Sequence, residues 1–426
     1  MAPDTRALDV GALGTGPRPR PPLGALRPRG VTRLLIYSHD SFGLGHLRRC
    51  RSIAQNLVQT YPDLEVLILS GLPIIASYAF DERVRYRLVP GIIKLSNGDY
   101  KALDAADIRE AIDARSRLIL ETAQEFQPDL FLIDKEPLGI RGEVTDTLVY
   151  LKERGVPVVL GVRDVMDDPV AFAAEWERKL AVPALEDYFS EIWVYGMERI
   201  YRPLEGLPLP AAVEQKIVYT SYLWREENRA PSAEPLPVDP PFLLVTPGGG
   251  GDGEGLVDWV LSAYERATDL LRALIVCGPF MHAESRRRIE ARAARLRHVE
   301  VLTFAPDMER LMTAATAVVA MGGYNTFCEI LSFDKPSLIV PRTRPRLEQF
   351  IRAREAERQG LLRMLPHDED NPDPQQMIDA LKALPSQPRP SSVVIPGLLD
   401  GHSAIAHRFA ALTGLAADAP IRAASA

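Results

Sequence analysis

Cysteine is scarce. Cys50, Cys277 and Cys328 are the three in 426 residues. An odd number at wide spacing builds no disulfide framework and no zinc-type pair, which points to a reducing compartment. Each is expected simply to pack, as free cysteine commonly does. Long apolar runs are also missing. The nearest, LMTAATAVVAM (311–321), falls short of the roughly 18 residues of a membrane span. Residues 1–30 lack an apolar core segment, so they do not read as a signal peptide. Their Pro, Gly and Arg content predicts a disordered tail. Nor is there a basic excess. A net charge of −7 argues against a nucleic-acid partner. The expectation is a cytoplasmic protein.

The chain does have a repeated alternation of short apolar runs and helical patterns. The runs are 33–38, 64–70, 86–91, 129–134, 156–162 and 191–196, then 242–246, 271–278, 299–304, 317–322, 336–341 and 361–365. Continuous apolar runs of this length suit strands buried on both faces of a parallel sheet. The stretches between suit crossover helices, as over 107–126. A Pro-rich stretch at 225–241 divides the two series. The chain therefore predicts an α/β protein with two doubly wound Rossmann-like domains facing a cleft. The boundaries are a tail at 1–30, an N-terminal domain at 31–224, a linker at 225–241, a C-terminal domain at 242–395, and a helix and tail at 396–426.

Ligands in such sheets bind beyond the carboxyl ends of the strands, so four loops matter most. In YSHDSFGLGHLRRC (37–50), Gly43 and Gly45 permit a tight turn and close ligand approach. His46 falls in the first turn of the helix that follows. The positive end of that helix disfavours imidazolium, leaving a neutral base. Leu47, Cys50, Ala54, Leu57 and Val58 share one helix face, and Arg48, Arg49, Arg51, Gln55 and Asn56 take the other. The loop lacks the third glycine of a dinucleotide fingerprint. In TPGGGGDGEG (246–255), Gly248, Gly249, Gly250 and Gly251 expose backbone N–H groups suited to a diphosphate. Glu254 stands where a Walker loop needs lysine. In MGGYNTFCEILSF (321–333), Gly322 and Gly323 follow a strand, Asn325 is the expected N-cap, and Glu329 shares its helix face. Such a carboxylate suits both hydroxyls of a ribose. In the loop from Pro341, Arg342, Arg344 and Arg346 concentrate positive charge, and Glu348 and Gln349 open a helix. Asp134 ends a strand at the cleft, where it can orient His46, bind acceptor or cap. Asp164, Asp167 and Asp168 read as a turn, with no metal expected. LPIIASYAF (72–80) is either an apolar face for an acceptor or a buried helix.

Together these loops resemble the GT-B glycosyltransferases, and the C-terminal half is similar to glycosyltransferase family 28. By that resemblance, Gly248 to Gly251 lie under the donor diphosphate. Met308 falls where the family holds uracil with backbone groups. Gly322, Gly323 and Thr326 match its second phosphate loop, and Glu329 its ribose carboxylate. Glu348 and Gln349 fall on a paired-Gln position contacting the donor sugar; only the second is Gln here, which counts against N-acetylglucosamine. His46 matches the family's N-terminal glycine-loop histidine. GLGHLRRC also resembles the nucleotide-sugar hydrolase of pseudaminic acid biosynthesis, in which the counterpart of His46 activates water. The whole pattern, with DKEPLG (134–139) and GVRDVMDDP (161–169), is similar to uncharacterised bacterial glycosyltransferases. The resemblance implies inverting, metal-independent transfer from a nucleotide diphosphate sugar, UDP-linked, with no further cofactor. It places the reaction in cell-envelope or polysaccharide biosynthesis. The acceptor stays open, with a lipid-linked acceptor and peripheral membrane contact among the expectations. A hydrolase and a non-catalytic nucleotide-sugar-binding regulator remain the alternatives.

Overall fold

The structure, a computed structural model, describes residues 30–39, 44–94, 100–103, 107–226, 235–249, 251–305, 307–366 and 372–415. The expected tail at 1–29 and much of the linker lie outside these.

The first series of apolar runs forms β1 (Thr32–Tyr37), β2 (Leu64–Ser70), β3 (Val84–Leu88), β6 (Leu130–Asp134), β7 (Val158–Arg163), β8 (Glu191–Tyr195) and β9 (Ile217–Tyr219), with β4 (Ile92–Lys94) and β5 (Tyr100–Ala102) pairing separately as an antiparallel ribbon. Between them run α1 (Gly45–Thr60), α2 (Ile108–Phe126), α3 (Thr145–Glu153), α4 (Pro169–Arg178), α5 (Ala181–Tyr188) and α6 (Ala211–Glu214). The second series forms β10 (Phe242–Thr246), β11 (Arg272–Val276), β12 (Val299–Leu302), β13 (Ala317–Ala320), β14 (Ser337–Ile339) and β15 (Arg363–Met364). Its helices are α7 (Glu254–Tyr264), α8 (Ala283–Ala293), α9 (Met308–Ala314), α10 (Tyr324–Ser332), α11 (Glu348–Arg358) and α12 (Pro374–Ala383), with α13 (Gly401–Thr413) last.

Each sheet is parallel throughout, in the orders β3-β2-β1-β6-β7-β8-β9 and β12-β11-β10-β13-β14-β15. The order reverses between β1 and β6 in one sheet and between β10 and β13 in the other. At such a reversal the two adjacent loops leave in opposite directions and open a crevice. This fold therefore sets the loops after β1, β6, β10 and β13 at two facing crevices.

The central strands are almost wholly buried because helices cover both faces, whereas the edge strands β3, β9, β12 and β15 are only partly covered. One apolar cluster fills the far side of the first sheet, around Phe131, Leu160 and Trp176. Another fills the second sheet, around Val245, Trp259 and Val319. A third runs from one domain into the other. It joins Ile53 and Leu57 of α1 to Phe327 of α10 and Phe409 of α13. The final helix thus returns to the first domain, where the Tyr61 hydroxyl donates to the Ala406 carbonyl over 2.9 Å. The chain crosses between domains twice, side by side. Leu223 bridges Asp400, and Tyr222 exchanges backbone bonds of 3.1 Å with Leu398 and Gly401. A Cβ on Gly401 would come within 2.6 Å of the Tyr222 carbonyl oxygen, so glycine permits this approach.

Residues 72–80 do not form the buried helix that was one of the two alternatives. Pro73–Ser77 is a short 3-10 turn in which Ile75 alone is buried. Pro73 at its start removes a backbone donor, and the segment is too short to continue as a helix. Cys50, Cys277 and Cys328 are buried and in no disulfide among the described residues. Burial pushes the thiols of Cys277 and Cys328 up to about 11, away from reactive thiolate. Among the described residues no helix is long and apolar enough to cross a membrane.

Candidate active site

The crevice of the first sheet holds a His–Asp pair. His46 lies in the first turn of α1, just after β1. Asp134 is the last residue of β6, which pairs directly with β1. Strand order therefore brings together two residues 88 positions apart, and His46 Nδ1 hydrogen-bonds to Asp134 Oδ2. With Nδ1–H donated to the carboxylate, Nε2 carries the free lone pair. Arg49 fixes Asp134 from the other side. Its Nε is 2.9 Å from Oδ1, and its Nη2 lies 2.6 and 2.8 Å from the two oxygens. Arg49 is 1% exposed, which corrects its assignment to the solvent face of α1. A buried carboxylate requires a cation, and one turn after His46 is where it is reached.

Burial lowers the His46 imidazole to about 4, outweighing the opposite pull of Asp134, while Arg49 and Lys135 push the same way. The ring is neutral near pH 7, as expected. Desolvation, rather than the helix terminus, dominates. Asp134 sits at about 2, because Arg49 and His46 overcome the burial that would raise it. His39 packs edge-on to His46, with ring centroids 5.7 Å apart. Burial keeps it uncharged too, and neither of its ring nitrogens has a partner among the described residues.

The facing crevice presents two helix N-termini. α7 starts after the glycine loop with Gly253 as N-cap, and α10 starts with Gly323. Neither has a side-chain cap, so first-turn N–H groups stay open to an anion. Gly248 has φ +84°, and its carbonyl oxygen would lie 2.5 Å from a Cβ at Gly278. Gly322 has φ +80° against Ile339. Glu254, in the first turn of α7, is drawn away by Ser285 and Arg288. Gly251 is part of this loop, whereas Gly43 and Gly250 lie outside the described residues.

Asn325 is not the N-cap of α10. It is the second residue of the helix, and its side chain spans the domains. Nδ2 donates to the Gly45 carbonyl over 3.0 Å, and Oδ1 accepts from Arg225 over 2.8 Å. The residue before His46 is thereby tied to the N-terminal turn of α10. Glu329, four positions on, is 2% exposed and ion-paired with Arg48, the residue two after His46. Burial raises the Glu329 carboxyl against the pull of Arg48. Thr326 is 9% exposed beside it, and Met308 opens α9 within reach of the interdomain apolar cluster.

Glu348 and Gln349 open α11 as expected, and both are buried. Glu348 accepts from Arg342 over 2.6 Å, and Gln349 Oε1 accepts from the Arg342 backbone over 3.1 Å. Burial alone would raise Glu348, but Arg163, Arg342 and Arg352 hold it low. The three aspartates after β7 are more than a turn. Arg352 of α11 reaches across to Asp164 with bonds of 2.6 to 3.1 Å, and both side chains are 2% exposed. Its Nη1 also donates to the Gly322 carbonyl over 3.0 Å. Asp167 accepts from the Leu347 backbone over 2.9 Å, while Asp168 caps α4. Arg346 pairs with Glu175 at 3.0 Å. The described residues contain no group of three His, Cys, Asp or Glu placed to hold a metal.

Known proteins share this architecture. Residues 242–391 match the glycosyltransferase family 28 C-terminal domain. An uncharacterized glycosyltransferase of Methanosarcina mazei is 25% identical over 348 residues, covering 76% of this chain and 83% of that one. Its Methanosarcina acetivorans counterpart is 26% identical over 349 residues, with the same coverage. The calicheamicin glycosyltransferase CalG4 superposes with a TM-score of 0.58 at 14% identity, over 93% of this chain and 100% of that one. MurG of Acinetobacter baumannii gives 0.53 at 13%, over 90% and 100%. Medicago truncatula UGT71G1, solved with UDP-glucose, gives 0.58 at 12%, over 90% and 99%. The chain thus has the GT-B fold of two Rossmann-like domains, and its second domain is similar to the glycosyltransferase family 28 C-terminal domain.

Proposed function

We propose that this protein is a glycosyltransferase that moves a sugar from a nucleotide diphosphate sugar, UDP-linked, to a hydroxyl acceptor. The observation that carries the reading is the neutral, Asp134-oriented His46 tied to the open N-terminus of α10 through Gly45 and Asn325. Acceptor binds over the first sheet and donor over the second. His46 Nε2 takes the acceptor hydroxyl proton as that oxygen attacks the anomeric carbon. The bond from that carbon to the diphosphate oxygen breaks, and the electron pair leaves with the nucleotide diphosphate. Asp134 stabilises the imidazolium as it forms. N–H groups of α7 and α10 stabilise charge growing on the leaving group. A single displacement of this kind inverts the anomeric centre and calls on no metal. Glu329 receives the ribose once Arg48 is displaced, and Glu348 and Gln349 address the donor sugar. Such a transfer fits cell-envelope or polysaccharide biosynthesis.

The test is a panel of nucleotide sugars mixed with the full chain without acceptor, with binding read by thermal shift and products by mass spectrometry. Tight binding of one donor with slow loss of nucleotide is the expected result. Rapid release of free sugar would make the same dyad that of a hydrolase. Binding without turnover under any acceptor would leave a nucleotide-sugar-binding regulator, and no binding at all would refute the donor site.

A further inference from the structure

The reaction above uses His46 and Asp134 but leaves two cations beside them without a task. Lys135 directly follows Asp134, and Arg163 ends the neighbouring strand β7. Asp134 is level with Gly161 across those strands, so both cations stand at the carboxyl edge of the first sheet. They come from the two segments, DKEPLG and GVRDVMDDP, whose function the dyad does not account for.

The carboxylates around them each have an ion-pair partner, although one oxygen each of Glu136 and Glu348 is buried without a hydrogen bond, and Glu348 also feels the charge of Arg163. Asp134 is held by Arg49, Asp164 by Arg352, Glu348 by Arg342, and Glu175 by Arg346 and Lys179. Glu136 sits 2.9 Å from Lys179 and 3.4 Å from Lys135. The half-buried Arg163 side chain makes no hydrogen bond or ion pair among the described residues, and its Nε is buried without a partner. A buried guanidinium N–H is costly unless an acceptor is supplied to it. Lys135 is held at φ +73°, a left-handed conformation rare for lysine. Its N–H donates to the Gly161 carbonyl over 2.7 Å, and its side chain is 12% exposed. A strained backbone that positions an ammonium group is a common mark of a functional site.

The electrostatics agree with the geometry. Burial, with Arg352, Arg49 and Arg346 nearby, lowers Arg163 to about 10 despite the opposing pull of Glu348. Burial, together with Arg346, Arg163 and Lys179, lowers Lys135 to about 8 despite Glu136. Both cations therefore sit in surplus positive potential, which an anion would relieve.

We propose that Arg163 and Lys135 form an anion-binding subsite for the acceptor, which carries a carboxylate or phosphate near the hydroxyl that His46 deprotonates. The planar fork of Arg163 suits two oxygens of either group. Lys135 supplies a second charge on the His46 side. The donor diphosphate is served by the glycine loops of the other sheet, so this subsite belongs to the second substrate. The inference rests on the glycosyltransferase reading for the word acceptor, but the anion site itself can be tested apart from it.

The experiment is calorimetric titration of the full chain at low ionic strength, with UDP saturating so that the donor loops are occupied. Inorganic phosphate and D-glucuronate are the probes, with D-glucose as the neutral control. One of the two anions is expected to bind and glucose not to. Binding of phosphate identifies a phosphorylated acceptor, and binding of glucuronate an acidic sugar. Arg163→Gln is expected to weaken that binding by about tenfold or more, with UDP affinity within twofold of the parent. Lys135→Gln provides the same test if the first variant does not fold. No anion binding in the presence of bound UDP overturns the subsite and leaves the donor reading intact. Anion binding unchanged in Arg163→Gln and Lys135→Gln also overturns it. Anion binding sensitive to Arg163 in a chain that binds no UDP keeps the subsite and removes the donor reading.

Discussion

Replacing Arg352 with methionine keeps most of the side-chain stem and removes the guanidinium that clasps the two domains. In the parent, three short contacts run to Asp164 and one to the Gly322 carbonyl, at 2% exposure on both side chains. The variant leaves Asp164 buried with the Val165 N–H on Oδ1, at 2.8 Å, as its remaining backbone donor. Breaking a buried pair from one side costs about 3–5 kcal/mol. By the scaling for domains of about 150–250 residues, that lowers Tm by on the order of 10 °C. Adding Asp164→Leu removes the stranded charge and sacrifices one backbone hydrogen bond, worth about 1 kcal/mol. The double variant is therefore expected to recover most of the loss, giving a coupling of about 2 kcal/mol or more. Differential scanning calorimetry of parent, both single variants and the double measures this cycle. A loss below about 1 kcal/mol in Arg352→Met, or additive single effects, would refute the clasp and mean that the domains stand apart in solution.

Three other outcomes are expected. His46→Ala should lower kcat by roughly 10²–10⁴ with nucleotide affinity within twofold of the parent, and equal losses in both would dismiss His46 as the base. In the parent, kcat/KM should be flat through neutral pH and fall below about 4 as His46 takes up a proton; an acid limb near 6.5 would place the imidazole in water. Glu329→Ala should weaken UDP binding by about tenfold or more, as expected for a lost charged hydrogen bond. Calorimetry showing unchanged affinity would remove Glu329 from the ribose site.

The parts of this fold legible in the sequence are those written in local apolar periodicity. The runs at 64–70 and 242–246 coincide with β2 and β10, and the helix expected over 107–126 begins one residue later behind its Asp107 cap. β9 and the β4–β5 ribbon were not legible, because strands of three residues leave no pattern to count. The glycine loops, His46 and Asp134 could be placed because strand ends locate a crevice. What stayed hidden were the buried arginines. Arg49, Arg115 and Arg352 are helix residues whose partners Asp134, Glu143 and Asp164 lie 85, 28 and 188 positions away. A helical-wheel reading sends every arginine to solvent, since the long-range carboxylate that permits burial has no local signature. The same blindness turned Asn325 into a cap and the aspartates after β7 into a turn. The signal that was present lay in the aspartates at strand ends, Asp134 closing β6 and Asp164 following β7, where a buried carboxylate needs a cation.

The paired crossings at Tyr222–Leu223 and Leu398–Gly401 have a mechanical consequence. Two chain segments joined by hydrogen bonds behave as a door hinge with one pin. The domains can swing about that line, but they resist sliding or twisting past each other. A swing about that line would change the contacts across the crevice, of Arg346 with Glu175 and of α10 with α1 through Asn325 and Gly45. Cutting the chain ahead of Leu398 would remove half of the pin, so the last segment of the chain governs how the two domains move.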